Sequence, residues 1–449
     1  MTISPAPPRA ELAMPWDDPD QHNPVAALAA ARAELGDTFE VQSGRDRYLF
    51  VFSPAGLRAF YAMPERDASK GLADYRMLVR KLPQELFTGV RTLAHDLFGA
   101  QDVETYLGHL DHALDLELAE LGAAGTFDAF GFARRVGHRL GLACWIGDAA
   151  AEPPWFDRLV ADLDRLDGAD AFVHPNRMPD VASTDKRAER AALARVEVAV
   201  GELLADPGRD PSGFLTEIAR RWGDTEEPER TQGIARDVVL LHVATMTNLF
   251  AALGWTLAQL ALHPDVLARV VARDAQSAVA RDAQSGVARD AQSGVAGDTQ
   301  LLERCALEST RIGQCSVMLR TVMQEVEIDD GHTRYTLAPG VTLATMLALT
   351  NTTAAPGLDG YDPDRWDGRR LRDEDQLPTR EAVTTFGFGP HRCPAQRFSL
   401  SAITRTVGRL AARYELTAGF DAVRTRPEQI GGVGRAADPC PISYRERSA

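Results

Sequence analysis

The chain has 449 residues, enough for two or three average domains or for one large cofactor enzyme. Its 64 acidic side chains against 49 basic ones leave a net charge of −15, which argues against nucleic acid and against an anionic membrane surface as general partners. A hydrophobic share of 45% allows a large core. Five scattered cysteines (Cys144, Cys305, Cys315, Cys393, Cys440) have no pairing by spacing, and this predicts a reducing, cytoplasmic setting. No secretory leader and no membrane anchor are expected, because residues 1–24 lack an apolar core and no run of about eighteen apolar residues is evident.

In chain order, residues 1–23 read as a flexible leader, with Pro5, Pro7, Pro8 and Pro15 blocking regular structure. Pro24 to Leu35 has helical spacing, and residues 39–41 and 48–52 flank Ser43-Gly44-Arg45-Asp46 as a β-hairpin. From 72 to about 200 the patterns are mostly helical, with an irregular stretch from Asp164 to Pro179. No linker or composition shift divides 24–449, so one domain is predicted.

Glu229 to Leu262 is the longest helical pattern, roughly 50 Å at ~1.5 Å per residue. It is apolar on nearly every side from Val238 onward, which demands burial, and His263-Pro264 ends it. An eight-residue repeat, Arg273-Asp-Ala-Gln-Ser-Ala-Val-Ala, recurs at Arg281 and Arg289. Without aromatics it cannot form a core, and 272–299 reads as an exposed insertion. Helical patterns at Leu301–Gly313 and Ala395–Tyr414 bracket short alternating stretches near Val326, Tyr335 and Val341. The sum is an α+β protein, mainly α, with minor β-sheets.

The informative stretch is Phe386-Gly387-Phe388-Gly389-Pro390-His391-Arg392-Cys393-Pro394-Ala395. Glycines let backbone approach a flat ligand, and a single sulfur stands where a helix begins. Partial positive charge and unpaired N–H groups there favour thiolate. A lone thiolate with no second cysteine nearby suits a haem axial ligand better than zinc or an iron–sulfur cluster.

This run resembles the haem-binding signature of cytochromes P450, with Ala395 where glycine is usual. The resemblance implies that fold, with its long distal helix, and haem b held through Cys393, with Phe386, Gly389 and Ala244 lining the cofactor. Glu308-Ser-Thr-Arg311 resembles the family's Glu-x-x-Arg brace, and Arg365 its third member. Arg320 and His391 fall where the family pairs haem propionates. The usual tryptophan-and-arginine contact is missing, with Arg91 or His95 as substitutes.

In the central helix, Ala244, Thr247, Asn248 and Ala251 share one face, on the stretch where the family carries an acid followed by threonine. Thr247 and Asn248 are therefore the expected distal relay, although Asn248 cannot ionise. Ala244-Thr-x-x-Asn248 with Trp255 is similar to the branch holding prostacyclin synthase and the bile-acid sterol hydroxylases. The resemblance implies monooxygenation of a lipophilic small molecule, with electrons from a separate ferredoxin and ferredoxin reductase. Arg392, Arg397, Arg405 and Arg409 would offer that donor a basic patch. Two alternatives stand: an isomerase or dehydratase needing no external electrons, and a non-catalytic haem sensor or carrier with His242 as second ligand. Substrate walls are expected around Met77–Leu86, Phe172–Met178, Leu240–Thr247, Ser316–Met318 and Ile430.

Overall fold

A computed structural model describes residues 6–90, 98–167, 174–206, 213–272, 299–367, 371 and 377–448. The octad repeat, Arg91, His95 and Phe172 lie outside the described residues.

The mainly helical α+β architecture is as expected. Its helices, in order, are α1 (Pro24–Leu35), α2 (Pro54–Ala62), α3 (Lys70–Lys81), α4 (Ala100–Leu121), α5 (Ala129–Trp145), α6 (Trp155–Leu166), α7 (Met178–Ser183), α8 (Arg187–Ala205) and α9 (Gly213–Arg221). The central helix α10 (Glu229–Leu262) follows, then α11 (Thr299–Gly313), α12 (Leu347–Thr353) and α13 (Gln396–Arg413). The strands are β1 (Arg9–Ala10), β2 (Thr38–Ser43), β3 (Asp46–Val51), β4 (Ala68–Ser69), β5 (Ala124–Asp128), β6 (Val317–Val322), β7 (Val326–Asp329), β8 (Arg334–Leu337), β9 (Thr342–Met346), β10 (Tyr414–Ala418) and β11 (Pro441–Glu446).

α10 matches the predicted span and stops at His263, ahead of Pro264. It is long and apolar enough to cross a bilayer. Its side chains are instead buried on nearly all sides, in a core shared with α4, α5, α8, α11 and α13. An all-round apolar helix has to sit in the middle of the bundle, and this one fixes the position of everything packed on it.

The sheets lie at the flank. β1-β2-β3-β9-β6-β4 form one sheet, β10-β11-β5 a second and β7-β8 a hairpin. The predicted hairpin at 39–52 is the antiparallel β2–β3 pair, with Ser43 opposite Asp46.

The leader requires correction. β1 pairs in parallel with β2, and Met14 and Trp16 are buried at 1% and 3% exposure. The Trp16 indole N–H donates to the Tyr48 hydroxyl at 3.2 Å, and Asp17 accepts from Ser43 at 2.7 Å. The prolines do block a helix, but they leave an extended strand possible, and the two apolar residues between them supply the burial.

Trp16→Ala should therefore cost about 3–5 kcal/mol. The expected outcome is a lower urea midpoint with an unchanged slope; an unchanged midpoint would return the segment to a loose tail.

Candidate active site

Cys393 stands at the end of a loop whose shape its glycines dictate. Gly387 (φ 76°) and Gly389 (φ 61°) are left-handed, and a Cβ on Gly387 would lie 2.7 Å from the His391 carbonyl oxygen. The Cys393 N–H donates to the Phe386 carbonyl at 2.7 Å, closing the turn. α13 starts three residues later, at Gln396.

The sulfur is less favoured as thiolate than the sequence suggested. Burial pushes the Cys393 thiol up, while the Ala395 N–H and the Arg392 charge pull it down. Burial wins here because the water removed from the sulfur outweighs one backbone N–H and the Arg392 charge. A bound metal cation reverses such a balance outright.

The loop faces a cavity of about 610 Å³. Cys393, Phe386, Gly387 and Pro394 form one wall, and Ala244, Thr245, Asn248, Leu249 and Ala252 of α10 form the opposite one. Gly389 is not on the lining; Gly387 takes that place.

Of the expected substrate walls, Ala244, Thr245, Ser316 and Met318 line the cavity. Met77, Met178 and Ile430 pack instead into the core cluster beside the large sheet. The α3 residues on the cavity are Lys70, Gly71 and Asp74, one to two turns before Met77.

The expected distal pair is split. Asn248 faces the cavity, and its Oδ1 accepts the Val433 N–H at 2.9 Å. That bond fixes the amide orientation, because a backbone N–H requires an oxygen partner, and leaves the Nδ2 protons to the cavity. Gly432 makes room for it: its φ is 63°, and a Cβ there would lie 2.6 Å from Oδ1.

Thr247 does not line the cavity, contrary to expectation. Its hydroxyl contacts Asp167 and the Val243 carbonyl, the latter at 2.7 Å. Asp167 is fully buried and is held at 2.8 Å by both Arg134 and Arg435. Two half-buried guanidinium groups on one buried carboxylate make a strong anchor, and it draws Thr247 toward the end of α6. Sequence reasoning missed Asp167, since nothing local to it signals a partner 80 residues away.

Behind the cysteine loop the brace is present. Glu308 and Arg311 are completely buried and joined by two bonds of 2.9 and 2.7 Å. Arg365 adds a third at 2.8 Å and Trp366 a fourth at 2.9 Å. Arg311 also donates to the Asn351 carbonyl at 2.7 Å. Asn351 in turn exchanges two 2.9 Å bonds with the backbone of Thr384, just before Phe386. The charge pair thus reaches the loop through one amide side chain.

The propionate candidates differ from one another. His391 lines the cavity and meets Glu65 at 3.0 Å; burial lowers its pKa against the pull of Glu65. Arg320 is 2% exposed and does not line the cavity. Its Nε donates to the Ala68 carbonyl at 3.0 Å, Nη2 donates to the Met63 carbonyl, and Glu65 lies 3.7 Å away. Burial would raise the Glu65 carboxyl, but hydrogen bonds from Ser69, Gly71 and Lys70, with the charge attraction of His391, hold it down at about 2.

The expected basic patch is neutralised by α4. Arg397 pairs with Glu104 at 3.2 Å, Arg405 with Asp111 at 3.2 Å, and Arg409 with Asp115. Arg392 donates to Gln396 instead, at 2.8 Å. His242, the candidate second ligand, turns away from the cavity and stacks on His138 at 5.1 Å.

The sequence profile of the cytochrome P450 family matches residues 214–440, and the chain belongs to that family. It is 20% identical to human 24-hydroxycholesterol 7-alpha-hydroxylase over 437 residues, covering 94% of this chain and 90% of the relative. A cytochrome P450 monooxygenase of Gibberella zeae is 26% identical over 228 residues, 48% of this chain and 42% of the relative. Retinoic acid bound cyanobacterial CYP120A1 has the same fold, with a TM-score of 0.73 at 16% identity, over 99% of this chain and 100% of that one.

The family binds haem b, and the cavity fits it. A single sulfur faces Ala244, Thr245 and Ala252 across the cavity, and cationic side chains that could pair with carboxylates, Lys70 and Arg392, line it with His391. The protein is accordingly a haem-thiolate oxidoreductase of the monooxygenase class, a family whose members in general draw electrons from redox partners.

Removing Arg311 would leave Glu308 buried and under-paired. Arg311→Met should cost about 3–5 kcal/mol and give protein with much less than one haem per chain. Denaturant titration and pigment quantification check both.

Proposed function

We propose that the chain inserts one oxygen atom from O2 into a lipophilic small molecule, with electrons delivered by a ferredoxin and its reductase. The observation that carries this reading is a cavity with Cys393 on one wall and Asn248 on the other. Cys393 is the residue that would hold the haem iron through its sulfur. Haem, when bound through a thiolate, supplies oxygen activation, because sulfur donates electron density to iron and favours O–O cleavage.

The chain's own residues orient and exclude. Leu249, Ala252, Met318, Leu347 and Val433 present apolar surface to the cavity, which suits a lipophilic substrate. The relatives' names point the same way, toward a hydroxylated sterol and retinoic acid. Ala244, Thr245, Asn248, Leu249 and Ala252 include no ionisable group. Protons therefore reach the site on water or on a substrate hydroxyl, which the free Nδ2–H of Asn248 positions by donating to its oxygen.

The same absence of an ionisable group on the α10 wall supports a second reading, an isomerisation or dehydration that consumes no external electrons. Stoichiometric NAD(P)H use with product formation separates the two. The neutralised arginine face argues for a donor recognised by shape as well as charge. The five free cysteines accord with a cytoplasmic location.

Two outcomes are expected. Cys393→Ala should abolish the red-shifted Soret band of the reduced, CO-bound protein together with turnover; an unaltered spectrum would sink the assignment. Asn248→Ala should leave haem content unchanged and lower product formed per NAD(P)H severalfold, with hydrogen peroxide making up the difference.

A further inference from the structure

The charged end of the cavity holds more cations than the expected propionate pair accounts for. Lys70, the first residue of α3, lines it beside His391 and Glu65. Its side chain is only 23% exposed, and its ammonium pairs with Asp74 one turn along the helix. Lys70 and Asp74 line this cavity together with His391, which meets Glu65 at 3.0 Å. Arg320, by contrast, is occupied by two backbone carbonyls and Glu65, and does not line the cavity.

A lysine is poorly placed at a helix N-terminus for the helix's own sake. The partial positive charge there favours carboxylates. Glu65 already fills that role, accepting the Lys70 N–H at 3.1 Å and the Gly71 N–H at 2.8 Å. Lys70 thus adds a cation where α3 needs none, at the end of a cavity that takes a cofactor with two carboxylates. Its present partner is weakly held, because Asp74 is 50% exposed and exposed i,i+4 pairs are easily exchanged.

We propose that Lys70 is a cofactor-anchoring residue, leaving Asp74 to pair with a haem propionate and so joining the N-terminus of α3 to the loaded state. This rests on the haem reading, which the Soret band of the wild-type holoprotein tests separately. With haem in place, Asp74 is left to solvent, and the amine and imidazole share the carboxylate edge. α3 then borders the cavity as an element tied to the cofactor itself.

The test is the rate at which purified holoprotein surrenders haem to excess apomyoglobin, followed by the change in Soret absorbance. Lys70→Met should lose haem about tenfold faster than wild type, the loss of one charge-assisted contact. Lys70→Arg should stay within about twofold. Asp74→Asn removes the same helix pair but frees the amine, and should lose haem no faster than wild type. The proposal is overturned if Lys70→Met matches wild type, or if it and Asp74→Asn are accelerated alike, which would reduce Lys70 to a support of α3. A Lys70→Met protein with wild-type haem loss but a weakened spin shift for carboxylate ligands would likewise overturn it, assigning the amine to substrate.

Discussion

The buried pair of Glu308 and Arg311 is the constraint on which the site rests. Neither side chain touches water, so each depends on the other and on the groups around them to offset lost hydration. Beyond the pair itself the partners come from outside the helix: Arg365, Trp366 and the Asp362 N–H on the carboxylate, and the carbonyls of Asn351, Leu358 and Gly360 on the guanidinium. Such a cluster tolerates one arrangement only. Through Asn351 and Thr384 that arrangement extends to the cysteine loop, and the sulfur's position follows from a charge pair it never meets.

The opposite wall is set by a comparable device made mostly of backbone. Residues 431–435 approach α10 closely: Val433 holds the Asn248 amide, the Gly434 carbonyl accepts the Trp255 indole at 2.6 Å, and Arg435 secures Asp167. The central helix supplies the apolar surface, while a loop from the far end of the chain decides which of its polar groups face inward. Asn248 keeps its donors for the cavity and Thr247 is drawn off to Asp167. The two residues, neighbours in sequence, serve different partners because 100° of helix rotation separates them.

What was legible beforehand divides along the same lines. The cysteine loop, the central helix and the Glu308-x-x-Arg311 brace depend on residues close together in sequence, with spacing set by turn and helix geometry, and these were readable. Residues 6–23 were misread because proline density reports only what backbone cannot do, whereas Met14 and Trp16 decide where it goes. Thr247 was misassigned because helical phase gives direction but not what waits there; Asp167 caps the C-terminus of α6. Arg320 and Lys70 exchanged importance for a similar reason: Arg320 is drawn off by the carbonyls of Met63 and Ala68, which no side-chain pattern encodes. The arginines of α13 looked like a basic patch until α4 brought Glu104, Asp111 and Asp115 against them.

The loop at 431–435 also bears on the order of assembly. A ribosome delivers the chain from its N-terminus, so α10 emerges well before the glycines that will pin Asn248 and the arginine that will fix Asp167. While synthesis continues, the distal wall has its apolar surface but not its final polar orientation. The pocket's polar orientation is completed by a segment 185 residues downstream of Asn248, so the pigment meets the finished wall only after that segment has been made.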